Sequence, residues 1–219
     1  MQLYLSSYRL GRDISFLKKW IKEKGNQILV VPNAVDYNDD SDTKTAKIID
    51  KCKDLELIGF KTEILDLRNY FGKKAELNRF LKEKIAFYVI GGNVFVLNRA
   101  MKLSGFDDFL LSKKDDDSIL YSGYSAGICV LANNLDGLNL VDNQEIDPYN
   151  SGIVSMNGVG IIDYLPVPHY KSDHPESPAI DNVVKYLNEN GLNYRTLQDG
   201  EAIVESTIKI DDTKNIRKS

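Results

Sequence analysis

The sequence predicts an α/β fold, with a doubly wound, mostly parallel sheet and helices on both of its faces. Short apolar runs, typical of buried strands, alternate along the chain with segments whose apolar residues recur at helical spacing. The second observation is a Gly-x-Ser-x-Gly turn at residues 123–127, between an apolar run and a helix-compatible segment. Such a turn is typical of the carboxyl edge of a sheet, where a parallel strand passes into a helix.

The first part of the chain shows this alternation most clearly. Each predicted strand stops at a glycine, a proline or a polar turn, and each predicted helix keeps its apolar residues on one face. Strands are predicted at residues 2–6, 28–31, 62–67, 86–90 and 119–121, and helices at residues 11–24 and 76–84 and between Asp42 and Gly59.

After the glycine-serine turn the pattern is looser. Residues 133–151 are rich in Asn, Asp and Gly and are predicted to form a long loop, which could close over a site as a lid. A helix is predicted to start at Pro178 and to end at Gly191. Two short strands follow it, at 194–197 and 202–205.

Length and charge narrow the class of protein. A chain of 219 residues can bury a full core, and no second core-sized pattern follows the loop, so one domain is predicted over residues 1–219. The net charge of −4 gives no basic field for nucleic acid. No apolar run is long enough to span a membrane, and the start of the chain lacks the features of a signal peptide, so a cytoplasmic location is expected.

The cysteines predict neither a disulfide scaffold nor a zinc site. Cys52 and Cys129 lie far apart in the chain, without the spacing of a metal-ligand pair. Cys52 is predicted to be a core residue of its helix.

Ser125, at the centre of the turn, is the candidate nucleophile. Gly123 and Gly127 flank it, as expected where a sharp turn brings backbone segments too close for Cβ atoms. The backbone N–H of Ala126 would then be one donor to an oxyanion. The alternative is an ordinary strand-to-helix turn without chemistry.

A serine nucleophile needs a base, and the chain has only two histidines. His169 follows an apolar, proline-bounded segment and is the candidate base, with a buried histidine satisfied by backbone groups as the alternative. His174 lies among Ser172, Asp173, Pro175 and Glu176 and is predicted to occupy a solvated turn.

Two further roles have several candidates. Asp199, before Gly200 at the end of a predicted strand, could orient the base, although an ordinary Asp-Gly turn explains it nearly as well. Residues 91–93, Gly-Gly-Asn, follow a buried strand and could supply a second oxyanion donor, or could be a plain glycine-rich turn. The alternatives to Asp199 are Glu201, Asp173, Asp147 and Asp136.

Three sequence blocks together resemble the peptidase E family, the aspartyl dipeptidase-like serine peptidases that also include the cyanophycinases. The blocks are Val-Ile-Gly-Gly-Asn-Val-Phe at 89–95, Gly-Tyr-Ser-Ala-Gly at 123–127 and Pro-His-Tyr at 168–170. The resemblance implies a doubly wound α/β fold akin to that of the class I glutamine amidotransferases. Its order of serine, histidine and acid differs from that of α/β-hydrolases, which argues against a lipase or esterase.

The resemblance also implies roles for individual residues. Ser125 would be the nucleophile and His169 the base, with an oxyanion hole formed by Gly92 and Ala126. The acidic member would come from an Asp/Glu-Gly turn near the end of the chain, which here contains Asp199.

One feature departs from the aspartyl dipeptidases, which carry an arginine after the catalytic histidine that can pair with the substrate's aspartate. Residues 171–186 contain no arginine. Lys171 or Lys185 could supply a point charge, but a lysine does not reproduce the bidentate arginine fork. Strict specificity for aspartate is therefore not expected.

The sequence thus predicts a serine peptidase that hydrolyses short peptides without a cofactor or metal. Its expected partner is a small peptide substrate, and a monomer or homodimer is expected. Two alternatives stay open: a cyanophycinase-like hydrolase of β-aspartyl peptides, and a non-catalytic binding module of amidotransferase-like fold.

Overall fold

A central six-stranded sheet organises the computed structural model, which describes residues 1–38 and 40–208. A pair of short strands forms a second, smaller sheet. The strands are β1 (Gln2–Ser6), β2 (Gln27–Val31), β3 (Lys61–Ile64), β4 (Ala86–Val89), β5 (Leu120–Tyr124), β6 (Leu165–Val167), β7 (Tyr194–Thr196) and β8 (Ala202–Ser206).

The order in the central sheet is β3-β2-β4-β5-β1-β8. All neighbours are parallel except β8, which runs antiparallel to β1 at one edge. From β1 the chain crosses to β2 and to β3 at the far edge, and then returns through β4 and β5, which lie between β2 and β1. Parallel crossovers of this kind place helices on both faces of a sheet. The predicted mostly parallel α/β fold is confirmed. Strands β6 and β7 pair with each other in the smaller sheet, so the last two predicted strands belong to different sheets.

Helices cover both faces of the sheet. One face packs against α1 and α2, and the other against a larger set that includes α4 and α7. The helices are α1 (Ser15–Lys24), α2 (Ser41–Leu57), α3 (Lys74–Leu81), α4 (Val94–Ser104), α5 (Phe106–Ser112), α6 (Ala126–Cys129) and α7 (Ser177–Glu189). No helix in the described part of the chain is long and apolar enough to cross a membrane.

Strand β4 shows why the core has two parts. Phe87 and Val89 point into the larger cluster, and Ala86 and Tyr88 point into the smaller one, and all four are buried. Successive side chains of a strand alternate between faces, so a fully apolar strand requires cover on both sides.

Several predicted boundaries shift for local reasons. Helix α1 begins at Ser15 rather than at residue 11, because the preceding loop is held by the buried Tyr4 hydroxyl, which donates to the carbonyl of Leu10. Strand β3 ends at Ile64 rather than at residue 67, because the carboxylate of Asp66 accepts a backbone N–H and starts a short 3-10 helix at Leu67–Tyr70.

The two cysteines are separate and reduced. Cys52 is half-buried and packs against the smaller core cluster, as its helix pattern predicts. Cys129 is buried in α6, where its Sγ lies 3.3 Å from the carbonyl oxygen of Pro166.

Candidate active site

Ser125 lies on a strained turn between β5 and α6. Its backbone has φ 50° and ψ −124°, a region that non-glycine residues seldom occupy and that is typical of a nucleophile elbow. The turn follows the carboxyl end of β5, beside that of its parallel neighbour β4. This edge of a parallel sheet is where ligands bind in open α/β folds.

The carbonyl group of Val89 requires glycine on both sides of the serine. A Cβ atom added at Gly123 would lie 2.6 Å from this oxygen, and one added at Gly127 would lie 2.2 Å from it. A Cβ atom at Gly91 would lie 2.8 Å from the Cβ of Ser125. Side chains at any of these positions would displace the elbow.

The predicted glycine turn lies beside the elbow. A Cβ atom at Gly92 would lie 2.2 Å from the carbonyl oxygen of Ala34, which also accepts a 2.8 Å hydrogen bond from the N–H of Asn93. Within residues 1–38 and 40–208, no acceptor is found for the N–H of Gly92 or of Ala126. Both residues line a small cavity together with Ser125. Two backbone donors are therefore free beside the serine.

His169 is held in place by a closed set of hydrogen bonds. Its Nδ1 lies 2.8 Å from Oδ1 of Asp199, and its backbone N–H donates to the hydroxyl of Ser7 at 2.8 Å. The Ser7 hydroxyl donates to the same Asp199 oxygen at 2.7 Å, and the hydroxyl of Ser172 accepts from the Asp199 N–H. Because an ionised carboxylate only accepts, Nδ1 of His169 carries the proton and Nε2 presents a lone pair.

Ser125 and His169 line the same cavity, which has a volume of about 540 Å³. The Ser125 hydroxyl forms no hydrogen bond to His169 or to any other residue that the structure describes. The Nε2 of His169 lies 4.0 Å from Oε2 of Glu176. Hydrogen bonds between catalytic groups are often long in unliganded sites and shorten when substrate binds.

His174 lies in a turn, as predicted, but it is half-buried and lines the cavity rather than being solvated. Its ring stacks on that of His169, with centroids 3.7 Å apart and planes 9° apart. The ring of Tyr8 packs edge-to-face against both imidazoles, with centroids 6.0 Å from that of His169 and 5.7 Å from that of His174. The N–H of Glu176 donates a 3.3 Å hydrogen bond to Nδ1 of His174.

The surroundings of His169 favour its neutral form. Burial is the largest effect and lowers the pKa of His169, and the charge that His174 carries when protonated lowers it further. The carboxylates of Asp199 and Glu176 act in the opposite direction but do not outweigh the other two. A neutral imidazole is the form that can accept a proton from a serine.

The predicted loop at 133–151 forms one wall of the cavity. It is tied to α4: the carboxyl group of Asp142 accepts the N–H of Val94 at 2.7 Å. Burial raises the pKa of Asp142 to about 7; this hydrogen bond opposes the rise and Glu176 adds to it. The buried guanidinium of Arg99 donates to three backbone carbonyls, those of Gln144, Ile146 and Ile153.

The cations around the cavity differ from those suggested by the sequence. Lys171 stacks over the ring of Tyr170, and Lys185 lies 3.9 Å from Glu189, and neither lines the cavity. The basic residues that do line it are Arg9, Lys47 and Lys51.

Most of these cavity cations are already paired with carboxylates of α2. Arg9 contacts Asp50 and Asp54, and Lys51 contacts Asp50. Lys47 makes no ion pair within the described ranges.

The other acidic candidates do not reach the histidine. The carboxylate of Glu201 accepts the N–H of Gln198, and that of Asp147 accepts the N–H of Gly152. The carboxylate of Asp136 accepts the side-chain amide of Asn134. No contact between Asp173 and His169 is found in the described part of the chain.

One group of side chains could hold a metal ion. Ligand atoms of His169, His174 and Glu176 all lie within 4.8 Å of one another. Within the part of the chain that the structure describes, no other group of three His, Cys, Asp or Glu residues meets this distance.

Sequence reasoning missed several residues of this site. Ser7, Tyr8 and Ser172 contact the histidine–aspartate pair, and Asp142 and Glu176 line the cavity. None lies in a recognisable motif. The only available signal for Ser7 and Tyr8 was their position after the first strand, where the carboxyl edge of the sheet is expected.

Geometry of this kind is typical of hydrolases that use a serine nucleophile. The sequence profile of Peptidase family S51 matches residues 9–212. The chain therefore belongs to Peptidase family S51, and the protein is a peptidase. A search of curated proteins finds no matching sequence.

Two solved structures share the fold. One is a protein from Listeria monocytogenes EGD-e, provisionally identified as a peptidase E protein. It is 20% identical, with a TM-score of 0.71 over 94% of this chain and 98% of that one. The other is a peptidase from an acI-B1 Actinobacterium, 18% identical, with a TM-score of 0.67 over 94% of this chain and 83% of that one. The expected peptidase E-like fold is confirmed.

Proposed function

We propose that the protein is a serine peptidase that hydrolyses short peptides through an acyl-enzyme on Ser125. The observation that carries this proposal is the juxtaposition of two preorganised parts in one cavity. These parts are a serine on a strained elbow and a neutral histidine whose Nδ1 is fixed by Asp199 at 2.8 Å.

Each group has a definite part in the proposed reaction. The Ser125 oxygen attacks the scissile carbonyl carbon while its proton passes to Nε2 of His169. Asp199 accepts a hydrogen bond from Nδ1–H of His169 throughout and stabilises the imidazolium. The N–H groups of Gly92 and Ala126 donate to the oxyanion.

Collapse of the tetrahedral intermediate breaks the peptide bond, and the departing amine takes the proton from Nε2. Water then enters, gives its proton to the same nitrogen and attacks the acyl-enzyme, which releases the acid and restores Ser125. These side chains and backbone donors supply the whole of the proposed chemistry.

The form of the cavity supports a short substrate. A volume of about 540 Å³ is in the range of small-ligand sites. Its walls carry both signs of charge, with the carboxylate of Glu176 on one part and the ammonium group of Lys47 on another. A short peptide with both termini free carries an ammonium and a carboxylate group that can pair with these charges. Among the described residues after His169, no arginine lines the cavity to bind an aspartate side chain.

The test is hydrolysis of a dipeptide panel by Ser125→Ala. We expect turnover to fall to background while the thermal midpoint stays near that of the wild type, because only the hydroxyl is removed. Ser118→Ala is the matched control, since Ser118 is also half-buried but its hydroxyl donates to Asp116, away from the cavity. Unchanged turnover by Ser125→Ala would contradict the proposal.

The same panel tests the cyanophycinase-like alternative. It includes α-aspartyl and β-aspartyl dipeptides of the same composition. Preferential turnover of the β-linked members would favour the alternative, and turnover confined to α-linked peptides would favour the proposal.

A further inference from the structure

The side chains of His169, His174 and Glu176 bring three potential metal ligands to one wall of the cavity. Imidazole nitrogen and carboxylate oxygen together suit zinc and its neighbours Cu²⁺ and Ni²⁺ better than Mg²⁺ or Ca²⁺, which prefer oxygen alone. Their ligand atoms lie within 4.8 Å of one another, and Nε2 of His169 is 4.0 Å from Oε2 of Glu176.

His169 has a carboxylate beside the ring nitrogen that faces away from the cavity, as metal-binding histidines normally do. Such a histidine donates its other ring N–H to a carboxylate, which fixes the ring and directs the free lone pair at the metal. Asp199 fills this role at 2.8 Å from Nδ1, and Ser7 holds the Asp199 oxygen in place. The Nε2 lone pair therefore faces the cavity from a fixed position.

Glu176 is available to a cation. Within residues 1–38 and 40–208 it pairs with no lysine or arginine, and its only ionic neighbour is His169 itself. Its side chain is 45% exposed, so it can move, and the adjoining cavity leaves room for water as a further ligand.

Coordination requires a small rearrangement of His174. Zinc bonds of about 2.0–2.2 Å in a tetrahedral site bring ligand atoms closer than the present 4.0 Å. Two stacked rings face each other, so the His174 ring must swing out of the stack. It lies in a turn before α7, where one 3.3 Å hydrogen bond to its Nδ1 is the only one found among the described residues.

We propose that His169, His174 and Glu176 form an inhibitory site for Zn²⁺ or a similar borderline transition-metal ion. The bound ion occupies the Nε2 lone pair that would otherwise accept the serine proton. The site is thus a reversible block of the base. The inhibition rests on the proposed function, whereas the binding of the ion does not.

Binding is measured first on Ser125→Ala, which keeps all three ligands and cannot hydrolyse peptides. Calorimetric titration with Zn²⁺ is expected to show one site, and Co²⁺ is expected to give the visible absorption of a low-coordinate complex. Mg²⁺ at the same concentration should not bind. In this background, His174→Asn and Glu176→Gln should each raise the zinc Kd at least about tenfold, since loss of an outer partner alone costs 10–100-fold.

Asp173→Asn is the matched control, because Asp173 is an exposed carboxylate of the same turn outside the ligand group. It should leave the zinc Kd unchanged. In the wild type, Zn²⁺ should suppress turnover and a chelator should restore it.

Three results would overturn the site: no zinc binding by Ser125→Ala, an unchanged Kd in both ligand variants, or an equal loss in Asp173→Asn. Zinc binding that depends on His174 and Glu176 in a protein without peptidase activity would uphold the site and reject the proposed function. Zinc-dependent loss of turnover that persists in His174→Asn would reject the inhibitory role.

Discussion

The two halves of the site are built in different ways. The serine half consists of backbone: Ser125 and the glycine turn follow adjacent parallel strands, and the close approach of Val89 and Ala34 fixes both turns. The histidine half consists of side chains, in which His169 is joined to Asp199 and Ser7 by hydrogen bonds across the chain.

This difference determines what each half tolerates. Backbone packed at van der Waals contact has no room for an added atom. Protein interiors are so densely packed that even one extra methylene group forces neighbouring atoms to move. A hydrogen-bonded histidine can keep its place after a substitution and still lose its function, since the tautomer and the charge of its partner decide its chemistry. The two halves should therefore fail differently when they are changed.

The largest expected effect comes from Asp199→Asn in the histidine half. The amide keeps the size of the side chain but can donate to Nδ1, which would move the histidine proton to Nε2 and leave no base facing the serine. Turnover should fall by about 10⁴-fold, as in other serine–histidine–aspartate sites. Steady-state kinetics with a dipeptide measure this, and circular dichroism should show an intact fold. A loss below tenfold would mean that Asp199 does not orient the base.

A smaller loss of activity, but a larger loss of stability, is expected for Gly127→Ala in the serine half. The new Cβ atom would lie 2.2 Å from the Val89 oxygen, so the elbow must shift. Displacement of a reacting group by about 1 Å costs about 100-fold in rate, and overpacking costs about 1–3 kcal/mol of unfolding free energy.

Urea unfolding and turnover of the same preparation check the elbow prediction. Gly72→Ala serves as the control, because no atom lies within 4 Å of its added Cβ and only the positive φ of 69° is strained. Wild-type turnover together with wild-type stability in Gly127→Ala would show that the close approach to Val89 is not what fixes the elbow.

The smallest effect is expected for His174→Phe, which keeps a ring against His169 but cannot become positively charged. His174 lowers the pKa of His169 when protonated, while Asp199 and Glu176 raise it. The substitution should therefore raise the pKa of His169, and the acidic limb of the kcat/KM profile should move to higher pH. At pH values well above this acidic limb, turnover should change little. A limb that stays in place or moves to lower pH would contradict the electrostatic part of the account.

Sequence reasoning reached the serine half because its signal is local. The glycines at 123 and 127 and the apolar strand before them are consecutive in the chain, and their steric reason can be inferred without the fold. The scarcity of histidines then singled out His169. The alternation of apolar strands with amphipathic helices predicted the mostly parallel sheet, which is confirmed.

The histidine half was harder to predict because its contacts span the chain. Ser7 and Asp199 are 192 residues apart and share one hydrogen bond. The stack of His174 on His169 depends on the turn at residues 172–176. This turn contains only polar residues and proline, which is typical of a solvent-exposed segment. Pairings of this kind are set by the packed fold, and no local pattern encodes them.

The central claim is that Ser125 is an activated nucleophile, and labelling by a fluorophosphonate probe tests it most directly. Such a probe reacts covalently only with a serine whose proton can be withdrawn. We expect one labelled site, located at Ser125 by peptide mapping, with labelling slowed in Asp199→Asn. A folded protein that stays unlabelled at Ser125, or that is labelled equally fast in Asp199→Asn, would contradict it.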